Sequence, residues 1–309
     1  MSSRVLLDTS SLMFRAFFSM PPTVTAPDGR PINAVHGYLD MTARLIHDRQ
    51  PDDIVHVYDD DWRPAPRVAV YEGYKANRPP DPEGLPQQFD VLREVLDAFG
   101  MGQAEAPGWE AEDAIGTLCA RARPRDRVDI VTGDRDLIQL VRDPQVRVLF
   151  TLRGVSELRV LDEAGVLEKY GVPASRYGEF AILRGDASDG LPGVRGVGEK
   201  TARLLVNTYH SLEELLKDAA AAKRTGAPLQ RSPSLRAALR DASDYVRRMQ
   251  QIVPIRTDLD LKAWKAERDE RKIEEAAEHY GLAGPIRRLR EATDRAGSQP
   301  GSARRGQGR

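Results

Sequence analysis

The chain has 309 residues, enough for one large domain or two smaller ones, and 40% hydrophobic with 30% charged residues describes a water-soluble globular protein. Forty-six basic against 47 acidic residues leave a formal net charge of −1, so a nucleic-acid surface would require positive charge to be segregated on one face. The lone Cys119 excludes an intramolecular disulfide framework and suits a reducing cytosol; Val5-Leu6-Leu7, ended by Asp8, is too short for a signal-peptide core, and no apolar run approaches the ~18 residues of a membrane span.

Arg4 to Asp8 reads as a buried strand ending in an acid, and Ser10 stands where it can cap a helix through Leu12, Phe14 and Phe17. Ala34 to Gln50 has apolar residues at helical spacing and ends at Pro51-Asp52-Asp53. Ile54 to Tyr58 is a second strand, running into Asp59, Asp60 and Asp61. The next segment, from Trp62 to Pro80, is basic, aromatic and broken by Pro and Gly, an excursion outside the core. Within it Tyr71, Tyr74, Lys75 and Arg78 recur at steps of three and four, which predicts one helix face suited to single-stranded nucleic acid.

Gln87 to Phe99 is an amphipathic helix, Gly102 to Ala106 a short strand, and Glu110 to Ala122 a helix with acids in its first turn. Arg127 to Thr132 is the next strand, followed by Gly133-Asp134-Arg135-Asp136, and Val146 to Phe150 is another. Strands alternating with helices predict an α/β fold with a central, mostly parallel sheet, whose ligands gather outside the carboxyl ends of the strands. Asp8, Asp59 or Asp60, and Asp134 all fall at such ends, on strands expected to be neighbours.

From Asp162 the pattern is helical, over roughly 163–169, 174–185, 199–208, 211–217, 233–250 and 269–281. Ala219 to Ser232 reads as a mobile linker. Residues 293–309, rich in Gly, Ser, Arg and Gln, are expected to form a disordered basic tail. The implied organisation is an α/β core over 1–160, a helical region over 161–292, and the tail over 293–309.

Two pieces of chemistry meet in the stretch from Gly185 to Ala202. Asp186 and Asp189 place two carboxylates a helical step apart. Gly193, Gly196 and Gly198 then lead into a helix that begins near Lys200, an arrangement that lets backbone N–H groups approach a phosphate. Further acids stand at Glu110, Glu112, Asp113 and Asp136; no Cys or His cluster has zinc-ligand spacing. An oxygen-only set points to Mg²⁺ or Mn²⁺, and a pair of such ions suits phosphodiester hydrolysis. On an ideal helix Glu110 and Asp113 share a face while Glu112 points away, so Glu112 joins the cluster only if Glu110 lies at or before the helix cap.

These motifs together resemble the 5′-nuclease family: the 5′→3′ exonuclease domain of bacterial DNA polymerase I, stand-alone 5′-exonucleases and flap endonucleases. The resemblance rests on Leu7-Asp8 with Phe14-Arg15-Ala16-Phe17, Tyr58-Asp59, Arg67 with Gly73 to Arg78, Pro107 to Asp113, Thr132 to Leu137, and Gly185 to Ala202. It implies a PIN-like nuclease core and two divalent metals, one held chiefly by Asp8, Asp59, Glu110 and Glu112, the other by Asp136, Asp186 and Asp189, with Asp134 between them and Asp113 behind. It implies a helical arch over the site, carried by about 62–85, with Lys75 and Arg78 at the scissile phosphate and Arg15 and Arg67 nearby. It also implies a helix-hairpin-helix motif at about 185–208, whose Gly193, Gly196, Gly198 and Lys200 grip duplex DNA with help from a bound K⁺.

The function so implied is a metal-dependent 5′→3′ exonuclease and 5′-flap nuclease of replication or repair. It would act as a cytoplasmic, stand-alone monomer on DNA with a free 5′ end, a flap or a nick, with catalytic roles for Lys75, Arg78 and Asp134. A PIN-like ribonuclease and a catalytically impaired DNA-binding protein are the alternatives. Glu112 stands where the family usually has Asp, Gly190 where it has Asn, and the loop after Tyr58 is one residue longer than usual.

Overall fold

Leu6 and its neighbours Val5 and Leu7 point to opposite sides of one strand, and every one of them is buried. That is the signature of a sheet covered on both faces. The structure, a computed structural model, describes residues 2–221 and 227–298. Among the described residues seven strands form one sheet: β1 (Ser3–Asp8), β2 (Asp53–Tyr58), β3 (Gly102–Glu105), β4 (Arg127–Thr132), β5 (Val146–Thr151), β6 (Leu158–Leu161) and β7 (Lys262–Trp264). Their order is β6-β5-β4-β1-β2-β3-β7. The five central strands are parallel, and β6 and β7 are antiparallel edges. The mostly parallel α/β expectation therefore holds.

On one face lie α1 (Thr9–Ser19), α2 (Asn33–Arg49) and α4 (Pro86–Ala98), packed with Val5, Leu7, Tyr58, Val131 and Leu149; α3 (Ala65–Val70) is a short helix between β2 and α4. On the other lie α5 (Ala111–Ala120) and the helical region that begins with α6 (Glu163–Tyr170) and α7 (Tyr177–Arg184), packed with Leu6, Val57, Val128 and Ile130. The chain continues through α8 (Glu199–Thr208), α9 (Leu212–Ala220), α10 (Ala227–Arg231), α11 (Pro233–Asp241) and α12 (Ser243–Ile252), and ends with α13 (Glu270–His279) and α14 (Ala283–Ser298). None of these helices is long and apolar enough to cross a membrane.

Four expectations need correction. The 62–85 segment is not a helical arch: α3 is six residues long, and Glu72 to Asn77 follows as consecutive turns. Pro64 and Pro66 sit at the start of α3, where a missing N–H costs nothing, while Pro79, Pro80 and Pro82 cannot donate helical hydrogen bonds beyond Arg78. The span 161–292 is not wholly helical, nor packed as one unit. β7 joins the sheet beside β3, and Ile273, Ala276, Tyr280, Ile286 and Leu289 bury against the core of the first half. The segment 233–250 is two helices, divided at Ala242. The expected tail is helical as far as Ser298, because Ala292 is buried and Thr293 and Asp294 are tied to Arg268; residues 299–309 lie outside the described residues. Of the expected linker, 222–226 lie outside the described residues, and α10 occupies 227–231.

Candidate active site and nucleic-acid interface

The sheet order sets β4, β1 and β2 side by side, so three strand ends deliver three acids to one crevice. Asp8 ends β1, Asp59 follows β2 directly, and Asp134 follows β4 by two residues. Asp8 also caps α1, accepting from Ser11 N at 3.2 Å, and takes the Thr132 hydroxyl at 2.5 Å. Asp59 accepts from Ala111 N at 2.7 Å, which ties β2 to the start of α5, whereas Asp60 turns to Gly108 N at 2.7 Å. Of the two, Asp59 lines the crevice.

Glu110 is the N-cap residue of α5, with extended backbone. That geometry meets the condition set by the sequence: the carboxylate oxygens of Glu110, Glu112 and Asp113 come within 4.8 Å of one another. Glu112 also lies within 4.8 Å of Asp134 and Asp136. The loop after α7 brings Asp186 and Asp189 to the opposite wall, where a bridge between Asp186 and Leu191 closes the turn. The result is a cleft of about 550 Å³ lined by Asp8, Asp59, Glu110, Glu112, Asp134, Asp186 and Asp189, together with Lys75 and Arg78. Asp136 lies beside this lining, within the Glu112–Asp134 group.

Crowding buried carboxyls raises their pKa. Burial pushes Asp8 up to about 7, with Asp134 and Asp59 adding to the effect and the Thr132 hydrogen bond opposing it. Burial, then neighbouring charge, also holds Glu112 and Asp136 well above the usual carboxylate range. Asp113 and Asp189 are raised chiefly by burial, against the pull of Arg67 and Lys75 respectively. Asp8, Asp59, Asp134 and Asp136 form no salt bridge with a basic side chain among the described residues, and Asp113 Oδ2 is buried without a hydrogen-bond partner. An oxygen-only set with this much uncompensated charge fits hard divalent cations.

Two cations of the chain itself enter the cluster. Arg67 is only 2% exposed. It pairs with Glu110, with Glu112 at 3.0 Å and with Asp113 at 2.8 Å, and it donates to the Ile252 carbonyl at 3.0 Å. Burial opposes its charge, but Glu112, Tyr74, Asp113 and Glu110 outweigh that and raise its pKa. Arg67, which the resemblance places near the scissile phosphate, is a buried counter-ion of this cluster in the structure. Lys75 pairs with Glu110 and lies 3.8 Å from Asp189, its charge favoured by those acids against burial.

The single-face expectation for Tyr71, Tyr74, Lys75 and Arg78 also fails. Tyr74 and Lys75 are buried in the cluster, with the Tyr74 hydroxyl donating to Glu110 at 2.7 Å, while Arg78 is exposed over the Trp62 ring at 5.8 Å. Arg15 lies outside the cleft, in an adjoining groove with Phe14 and Phe18, its guanidinium held by the Thr151 and Leu152 carbonyls. Sequence reasoning passed over Arg135, exposed on the cleft wall, and the supporting hydroxyl of Thr132; a basic residue between two of the acids was the available signal for the first.

α7, the loop 185–198 and α8 make a helical hairpin. Gly196 and Gly198 face open space, and Lys200 is exposed in the first turn of α8. Gly193 differs: a Cβ there would lie 2.5 Å from the Arg184 carbonyl oxygen, so this glycine serves packing inside the hairpin.

Comparison with known proteins adds two family models. Residues 3–171 match a 5′-3′ exonuclease N-terminal resolvase-like domain, and residues 172–276 a 5′-3′ exonuclease C-terminal SAM fold. The chain is 42% identical over 318 residues to a 5′-3′ exonuclease of Mycobacterium tuberculosis, covering 95% of this chain and 98% of the relative. It is 43% identical over 302 residues to one of Streptomyces coelicolor, covering 92% and 98%. Among solved structures, it shares the fold of the bacteriophage T5 D15 flap endonuclease in complex with DNA and metal ions, with a TM-score of 0.63, 15% identity and coverage of 96% and 100%.

Proposed function

The chain belongs to the 5′-3′ exonuclease family and is a phosphodiester hydrolase, and from that premise we propose that its acidic cleft holds two divalent cations, Mg²⁺ in the cell, and cuts DNA at a free 5′ end, flap or nick. The observation that carries this reading is the convergence of Asp8, Asp59, Glu110, Glu112, Asp134, Asp136, Asp186 and Asp189 at one cleft beside two phosphate-seeking cations, Lys75 and Arg78.

Asp8, Asp59, Glu110 and Glu112 would hold one ion, and Asp136, Asp186 and Asp189 the other, with Asp134 shared. Such ions supply a nucleophilic water near neutral pH and stabilise the leaving oxygen. The chain's own residues supply position and charge. Thr132 and Ser11 fix the Asp8 carboxylate, and Ala111 N fixes Asp59. Lys75, once free of Glu110, offsets charge on the phosphate in flight, and Arg78 offers its fork to a neighbouring phosphate. Gly196, Gly198 and Lys200 would hold the duplex backbone away from the cleft, and a K⁺ held by that loop would add positive charge for the phosphates.

Phe14 and Arg15 lie beside the cleft mouth and suit the strand that continues past the cut. The test is cleavage of a 5′-labelled flap duplex. Cutting near the flap base is expected in Mg²⁺, with none in EDTA; full cleavage in EDTA would overturn the reading.

A further inference from the structure

Gly190 stands where two loops touch backbone to backbone. Its φ is +71°, and a Cβ added there would lie 2.5 Å from the Gly73 carbonyl oxygen. The two loops are joined at the same place by a hydrogen bond from Lys75 N to the Asp189 carbonyl at 2.9 Å. The Tyr71 ring lies against Gly73, where a Cβ would meet it at 2.7 Å, and the Tyr71 hydroxyl reaches the Gly190 carbonyl at 3.5 Å. Beside this contact Lys75 is held at φ +50°, a conformation seldom adopted by residues with side chains. The side chain so aimed is 8% exposed and runs into the acids, with its ammonium on Glu110 and 3.8 Å from Asp189.

We propose that Gly190 is a positioning residue for Lys75: its missing side chain lets the 186–190 loop lock onto the 71–75 turn, and the lock seats the Lys75 ammonium on Glu110 as a resident cation, which a divalent ion displaces toward the substrate. One oxygen atom of Glu110 serves Lys75, and the other serves Arg67 and the Tyr74 hydroxyl. An arriving ion must therefore take Glu110 from a cation already present. Lys75 is the one it can displace, because Arg67 is fixed from behind by Asp113 and the Ile252 carbonyl, whereas Lys75 lines the cleft and its ammonium is held by Glu110 and, at 3.8 Å, by Asp189, which line the same cleft. Loading the cleft and freeing the lysine for phosphate become one event. The inference rests on the reading of the cleft as a cation site.

The test uses the full chain and brief acylation of lysine amines, quantified at Lys75 by peptide mass spectrometry. Without metal, Lys75 of the wild type is expected to label at least tenfold more slowly than exposed Lys200. Addition of Mn²⁺ should raise the Lys75 rate with the same half-saturation as Mn²⁺ binding measured by calorimetry. Gly190→Asn keeps a residue that tolerates positive φ yet adds the clashing Cβ. In that variant Lys75 should label at least fivefold faster without metal, and Mn²⁺ should bind at least threefold more tightly. A merely structural defect would weaken Mn²⁺ binding instead. Gly190→Ala serves as the second variant, with circular dichroism confirming that each folds.

Equal Lys75 labelling in wild type and both variants without metal would overturn the proposal, as would Mn²⁺ affinity unchanged or reduced. The metal-free labelling arm needs no bound ion. A wild type that binds no Mn²⁺ would defeat the proposed function and the displacement, whereas Mn²⁺ binding with unaltered Lys75 labelling would defeat this inference alone.

Discussion

Replacing Arg67 by Met should destabilise the protein far more than it weakens DNA binding. The side chain is 2% exposed and satisfies Glu110, Glu112, Asp113 and the Ile252 carbonyl. Removing one partner of a buried ion cluster leaves uncompensated buried charge, typically costing about 3–5 kcal/mol. The raised pKa values of Glu112 and Asp113 allow part of that charge to be lost by protonation, which favours the lower end near neutral pH. With roughly 2.1 cal/mol/K of unfolding entropy per residue, 309 residues shift by about 1.5 °C per kcal/mol, so the midpoint in EDTA should fall by roughly 5–8 °C. Excess Mn²⁺ should narrow the gap, since a cation bound among the same carboxylates takes over part of the neutralisation. The assay is thermal unfolding by circular dichroism, in EDTA and in Mn²⁺, beside flap-duplex affinity in Ca²⁺. A fall below about 2 °C in EDTA together with a large loss of DNA affinity would refute this and return Arg67 to the substrate.

Three further outcomes are expected. Lys75→Ala should slow single-turnover flap cleavage at least about tenfold, or ~1.4 kcal/mol of barrier, while duplex affinity in Ca²⁺ changes much less; equal losses would make Lys75 an ordinary binding residue. His56 is wholly buried beside the Tyr38 hydroxyl at 2.7 Å, and burial holds its pKa down to about 3. A folded-state pKa below the unfolded ~6.5 means that the unfolded chain takes up the extra proton, so this stability is present above about pH 6.5 and lost as pH falls toward 3. His56→Gln should accordingly flatten the stability profile by about 3 kcal/mol between pH 7 and pH 4 in denaturant titrations, and parallel curves would contradict the assignment. Gly198 is the N-cap of α8 and opens onto free space, so Gly198→Val should weaken duplex binding and leave Mn²⁺ binding intact; unchanged duplex affinity would make that loop structural only.

The strand-end acids were legible because each follows an apolar run short enough to be a buried strand, and a parallel sheet can send Asp8, Asp59 and Asp134 only to its carboxyl edge. Choosing Asp59 over Asp60 agrees with the hydrogen bond to Ala111 N, a contact no spacing rule contains. The Tyr71–Arg78 segment misled because steps of three and four describe a helix face only where the backbone is helical. Here Lys75 adopts φ +50°, and its burial depends on acids 35 and 114 residues away in the chain. Arg67 misled for a related reason, since an Arg in a basic, Pro-broken stretch looks solvated until three carboxylates close around it. β7 is three residues long, too short for a period to show, and it is held by its pairing with β3, the Trp264–Asp97 hydrogen bond at 3.1 Å and the Lys262–Glu105 ion pair at 2.8 Å. The glycines of the 193–198 loop looked alike in sequence, yet Gly193 packs inward and Gly196 and Gly198 do not.

The most direct measurement is the number of Mn²⁺ ions bound by the metal-free protein, counted by calorimetry and by electron paramagnetic resonance of the free ion, for the wild type and for Asp186→Asn. Two carboxylate groups sharing one cleft predict two ions in the wild type. They predict one tight ion in the variant, with flap cleavage lost and duplex affinity in Ca²⁺ retained. A wild type that binds no ion in the cleft, or a variant that still binds two and cleaves at the wild-type rate, would contradict the account.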